Sequence, residues 1–336
     1  MIGLVLRVNL GLKRFLEKET SFLYFMYNCI KFQLMKFQFI SVLAILLFIG
    51  GCKEKDPVKE PSLVFVMKLD PLQQRLNSLG QPSSIPANHA AQSPDFKFIS
   101  AHYIELAQNM LTQLGNGAVV YFADETTAGG ANAINFEKAK LVKDGEEFFR
   151  IPLKDVQRGD YEYLRVSLAY QNYEVDFWLD TTISGFPVKQ SFSCNVGSFI
   201  GYNNYIKSFK LNSQTVNVNA NKLQGFWGAE SYGTIAGINF NNVQTGQAPA
   251  GATTVVNPLA ATSPIPAGSC VATGRFTGGK LSVTGNEKED VIIEVSLSIN
   301  NSFEWREVVT DGKWEPAKGE NVVDMGIRGL IPTVKY

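Results

Sequence analysis

The sequence predicts an all-β fold, an antiparallel β-sandwich of one or two lobes, and three observations carry that expectation. Val291, Ile293, Val295, Leu297 and Ile299 alternate with Glu294, Ser296 and Ser298, the period of two required of a strand with one buried face. Tyr161 to Leu179 alternates in two phases, first through Leu164, Val166, Leu168 and Tyr170, then through Tyr173, Val175, Phe177 and Leu179. Helical periodicity is scarce, and turn residues punctuate the runs, as in Gly129-Gly130, Gly278-Gly279 and Asn300-Asn301. Many short strands separated by turn signals point to a sandwich.

Taken in order, Leu63 to Leu69 is the first strand, β-branched and aromatic, followed by Ala118 to Phe122 and Glu147 to Leu153. Ala101 to Leu114 is the one stretch long enough to weigh as a helix, although His102 to Leu106 reads equally well as a strand. The phase change after Tyr170 places a bulge near Gln171-Asn172, because a slip of one residue turns every side chain to the other face. Arg158-Gly159-Asp160-Tyr161 entering that long strand suggests a corner at which a tyrosine hydroxyl pins the crossover. Thr215 to Ala220 puts Val216, Val218 and Ala220 on one face. Asn241 to Gly268 has no charge, four prolines and no periodicity, and reads as a long loop packed over the sandwich.

The chain begins with an address. Met35-Lys36 is a short basic start, Phe37 to Gly51 is uncharged and mostly apolar, and Ile49-Gly50-Gly51-Cys52 reads as a lipoprotein signal box. The apolar run is too short for a comfortable membrane span but suits a signal peptide. The expected organisation is therefore a mis-called extension over 1–34 with the true start at Met35, a signal peptide over 35–51, a tether over 52–62 and the sandwich over 63–336, with two lobes meeting near 180–190 if there are two. Cys52 is the expected lipidation site, which makes the membrane a partner and places the protein at the outer membrane or cell surface. The tether, with Lys53, Glu54, Lys55, Asp56, Pro57 and Pro61, has too little apolar content to fold.

Charge narrows the partners. The whole chain balances 31 basic and 31 acidic residues, and loss of 1–51 takes six basic and two acidic ones, leaving a net charge of −4. That argues against nucleic acid, whose binding depends on a basic surface. Of the four cysteines, Cys194 and Cys270 remain in the sandwich region, and in an oxidising compartment they are expected to pair as a disulfide.

No catalytic constellation emerges. The two histidines, His89 and His102, lie in a polar loop and an apolar element respectively, and no serine sits in a Gly-x-Ser-x-Gly elbow. Phe98 to Leu106, Val119 to Phe122, Phe149-Arg150-Ile151-Pro152-Leu153, and Gly159-Asp160-Tyr161 through Leu164 to Tyr170 together resemble the MbnP-like periplasmic family over roughly residues 63–180. The resemblance implies a β-sandwich associated with copper and a di-haem partner. The first strand departs from it, since Phe65-Val66-Met67-Lys68 offers no histidine to a metal.

Two further groups are candidate sites. Glu307, Asp311, Glu315, Glu320 and Asp324 surround the Asp311-Gly312 turn and resemble an acidic calcium loop, since calcium takes six to eight oxygens. Tyr202 and Tyr205 among asparagines, and Phe226-Trp227 between glycines, mix aromatic faces with amides in the way that sugar-binding surfaces do. The function expected is binding or interaction with a protein or glycan ligand. A copper-handling protein and a glycan-active hydrolase are the alternatives.

Overall fold

The computed structural model describes residues 60–183, 185–248 and 269–335, and the described residues from Glu60 onward form one compact unit. The signal box, the lipidation site Cys52 and most of the tether lie outside the described residues. The fold is all-β, as expected. Twenty strands follow in chain order: β1 (Ser62–Asp70), β2 (His89–Gln92), β3 (Asp95–Ala107), β4 (Ala118–Phe122), β5 (Glu125–Thr126), β6 (Ala133–Asn135), β7 (Glu147–Pro152), β8 (Gly159–Tyr161), β9 (Tyr163–Ile183) and β10 (Phe186–Phe199). The second half continues with β11 (Asn203–Lys210), β12 (Thr215–Leu223), β13 (Phe226–Ile235), β14 (Ile238–Gln247), β15 (Val271–Arg275), β16 (Leu281–Val283), β17 (Val291–Ser298), β18 (Phe303–Arg306), β19 (Val322–Met325) and β20 (Leu330–Lys335).

A seven-stranded sheet, ordered β14-β13-β10-β9-β3-β4 with β15 also on β9, forms the centre. One of its faces packs on the sheet β20-β17-β1-β7. Between them lies the main core, with Leu63, Phe65 and Met67 of β1, Ile293, Val295 and Leu297 of β17, and Leu164, Val166 and Leu168 of β9, all nearly inaccessible. The small sheet β19-β18-β2 continues that layer, setting Phe303 and Trp305 against Tyr173, Val175, Cys194 and Val196. The opposite face carries the sheet β12-β11-β6-β5, where Ile206, Phe209, Val216 and Val218 meet Tyr170, Phe199 and Phe226. Pairing is mostly antiparallel, but β1 runs parallel to β17 and β6 parallel to β11.

The phase change in β9 falls two residues before the expected position. Ser100 faces Tyr170 and Ala101 faces Leu168, so Ala169 is the extra residue of a bulge. Its carbonyl turns out of the ladder and accepts the N–H groups of Ile200 and Gly201 at 2.9 and 3.0 Å. Leu164, Val166 and Leu168 thereby share a face with Tyr173 and Val175. The corner is formed as the sequence suggests, with the Tyr161 hydroxyl donating to the Gln157 carbonyl at 2.5 Å.

One open choice between elements is decided and one expectation is corrected. Asp95–Ala107 is a strand, with no helix over Ala101 to Leu114. Asn241 to Gln247 belongs to β14 rather than to a loop. The residues near 180–190, where two lobes would meet, hold the turn between β9 and β10, whose pairing continues to Phe199 and Tyr170.

Candidate functional site

On the sandwich face of the central sheet, the described residues cover the wing formed by β10, β13 and β14 only in part. A cavity of about 1120 Å³ opens there, bounded on its other side by β19, Gly326–Gly329 and the segment around Arg75 to Ser84. This is at or above the upper end of ordinary ligand pockets. Register decides which side chains reach it. Ser198 lies opposite Trp227, Trp227 opposite Gly246, and Ala229 opposite Gln244, so these residues share one face.

Trp227 lies against β14 because position 246 is glycine. A methyl group there would come within 2.4 Å of Trp227 Cζ2. Beside the indole, Ser198 is 1% exposed and its hydroxyl has no protein partner. The opposite rim is ionic. Arg75 donates to Glu304 at 2.8 Å, His89 Nδ1 lies 2.6 Å from the other Glu304 oxygen, and Arg328 pairs with Asp324 at 2.8 Å. Burial, and then the like charge of Arg328, pull the Arg75 guanidinium below its ordinary pKa, while Glu304 offsets part of that. For Glu304 itself burial opposes ionisation, but the hydrogen bonds from His89 and Arg75 together outweigh it and hold the carboxyl below the usual glutamate range. The Nε groups of Arg75 and Arg328 have no protein partner.

The four aromatics singled out in sequence separate. Phe226 is a core residue packed on Phe199 and Phe209, while Trp227 lines the cavity. Tyr205 donates to Asn219 at 3.3 Å on the outer side of β11. Tyr202 donates to Glu125 at 2.7 Å in a polar cluster that also contains Asn132 and the buried His102, whose Nε2 lies 3.2 Å from the same carboxylate.

The tail carboxylates do not converge on a cation position. Glu320, 2% exposed, accepts the N–H groups of Val308, Val309 and Glu315. Asp311 binds Lys313, Glu307 accepts from Gly312, and Asp324 pairs with Arg328. The Glu315 side chain is buried, and burial followed by the charges of Asp311 and Glu320 raises its pKa. Among the described residues no three His, Cys, Asp or Glu side chains are grouped to hold a metal.

The expected disulfide is also corrected. Cys194 and Cys270 are free thiols. Cys194 faces Val175, whereas the carbonyl of Cys270 binds the N–H of Leu168, at a distant point along the same strand. At about 3.3 Å per residue that separation is roughly 20 Å, and disulfides need Cα atoms within about 7 Å. Both thiols instead line the cavity, where burial raises Cys194 to about 12 and Cys270 to about 11.

Sequence reasoning found Trp227 but missed Ser198, Gln244, Arg75, Glu304 and Arg328, which lie far apart in the chain and meet only through strand order. The one local signal was Gly246, an interruption in a strand that marks close approach of another group. Comparison of the chain with family models, with curated proteins and with solved structures gives no match.

Proposed function

We propose that the chain is a lipid-anchored protein of the outer membrane or cell surface that binds a glycan ligand in the cavity beside β13 and β14. The observation that carries this reading is the pairing of Trp227, seated on Gly246, with the unpartnered Ser198 hydroxyl in one large concave site. An indole packs against the apolar face of a sugar ring while hydroxyl and amide groups such as Ser198 and Gln244 bind its hydroxyls. Binding is favoured over glycan hydrolysis, which needs two carboxyl groups free for acid and nucleophile or base roles. Glu304, Glu320 and Asp324 around this cavity are each committed to protein partners. The anchor rests on the signal box ending at Cys52.

Two measurements test the reading. Mass spectrometry of the mature N-terminus should find a diacylglyceryl-modified Cys52. A glycan panel read by tryptophan fluorescence of the full chain should give a saturable change that Trp227→Ala abolishes with the fold intact. An unmodified N-terminus overturns the anchor; no response across the panel, or one unaffected by Trp227→Ala, overturns the site.

A further inference from the structure

We propose that β14 is a self-association edge, through which two copies of this chain join their seven-stranded sheets antiparallel about a two-fold axis. Strand β14 ends the sheet order, so one side pairs with β13 and, among the described residues, the other side of its backbone has no strand partner. The pairing with β13 runs from Phe226–Gln247 to Ile235–Ile238 without a register shift, so the outer edge is a regular ladder of ten residues.

Proteins blunt exposed edges with lysine, proline, bulges or shortness, because an open ladder recruits another strand. The other long edges here carry such features. Strand β20 contains Pro332 and Lys335, and β7 contains Arg150 and Pro152. In β12 there is Lys222, and Asn219 has φ +50°. Strand β4 has only five residues. In β14 none of these occurs, and from Ser231 to Ala248 there is neither a charge nor a proline.

A second copy suits this edge better than a foreign peptide. Peptide strand addition takes its specificity from pockets that receive alternate side chains. Along β14 most side chains are exposed, with Ile238 at the start of the strand at 73% and Val243 at 38%. An edge without charge sets no like charges opposite each other when it meets itself, and the exposed amides of Asn239 and Asn242 can exchange hydrogen bonds across the seam. Pairing of β14 with β14 closes as a dimer, whereas pairing with the short β4 edge of a neighbour would propagate.

Sedimentation of the purified full chain in a mild detergent, over a wide concentration range, tests this. The expected result is a monomer–dimer equilibrium that Val243→Lys weakens by about tenfold or more, equivalent to about 1.4 kcal/mol, and that Val243→Thr leaves in place. Circular dichroism checks that the lysine variant keeps its β signature. Wild-type protein that stays monomeric throughout, or a folded Val243→Lys variant that dimerises as before, overturns the proposal. A species that grows beyond the dimer also overturns it, because it would require a second edge.

Discussion

Gly197 of β10 and Gly228 of β13 lie directly opposite each other, and the ring of Phe209 occupies the space their side chains would take. A methyl group on Gly228 would sit 2.5 Å from Phe209 Cζ, and one on Gly197 would sit 3.1 Å from Cε2 and 2.8 Å from the Tyr170 hydroxyl. Paired glycines let the β11–β12 sheet settle onto the central one. Gly228→Ala should therefore lose about 1–3 kcal/mol through overpacking, and Phe209→Ala about 3–5 kcal/mol through the cavity it leaves. Combining Gly228→Ala with Phe209→Leu should recover part of the loss. Urea unfolding measures all three, and a neutral Gly228→Ala would contradict the packing.

The turn between β13 and β14 is Ala236-Gly237, and both residues have positive φ, +48° and +79°. A two-residue turn of this kind favours Asn-Gly, since a left-handed alanine is disfavoured by about 1–2 kcal/mol. Ala236→Asn is expected to raise stability by up to about 1 kcal/mol, seen as a higher urea midpoint with an unchanged slope. A lower midpoint would count against this turn geometry.

His102 is fully buried, with one ring nitrogen near Glu125 and the other without a protein partner. Burial lowers its pKa, and Glu125 offsets only part of the effect. The unfolded chain therefore takes up the proton more readily than the folded one. Stability is full above about pH 6.5 and falls as the pH drops from there through the folded value. His102→Gln should flatten that part of the profile, and melting midpoints at about pH 7.5 and about pH 5.5 show it. Equal slopes in wild type and variant would remove His102 as the cause.

In the tail, Glu320 and Asp311 should behave differently. Glu320→Ala strands the buried Glu315 N–H and two part-buried ones and should lose about 1–3 kcal/mol. Asp311→Ala breaks an exposed contact with Lys313 and should leave the midpoint within error. A large effect at Asp311 instead would give that turn a role absent from its contacts.

The raised pKa values of Cys194 and Cys270 predict slow chemistry, because the thiolate is the reactive form. Peptide mapping without reductant should recover both as thiols. Alkylation at about pH 8 should be slow in folded protein and rapid in urea. Recovery of a Cys194–Cys270 peptide would overturn the geometry described.

Strands with one buried face were legible. Leu63 to Leu69, Ala118 to Phe122 and Val291 to Ile299 lie within one or two residues of β1, β4 and β17, the last because its alternation records the core directly and the first two because their apolar, β-branched and aromatic composition marks a strand. Strands β10, β13 and β14 gave no such signal, for two reasons. β10 is covered on both faces, with Val196 toward Trp305 and Phe199 toward Phe209, so period two disappears. β14 is largely exposed and rich in amides, so no apolar face stands out. The cavity lies largely on those three strands, which is why Trp227 alone of its lining reads in the sequence as a ligand-binding residue. The acidic tail shows the converse, sequence proximity without grouping in space. Its carboxylates are near in sequence, but Glu320 turns inward to hold backbone N–H groups and the others take local partners.

The parallel ladder between β1 and β17 joins opposite ends of the described chain, and the Ser62 N–H meets an Asp290 oxygen 228 residues away. A ribosome delivers β1 long before β17, so the apolar run Leu63 to Leu69 spends most of synthesis without one of its neighbours. Contacts of such long range slow folding, since the loop must close before they are rewarded. Truncation before Val291 should accordingly leave β1 half-paired and the chain a substrate for proteases, however complete the central sheet.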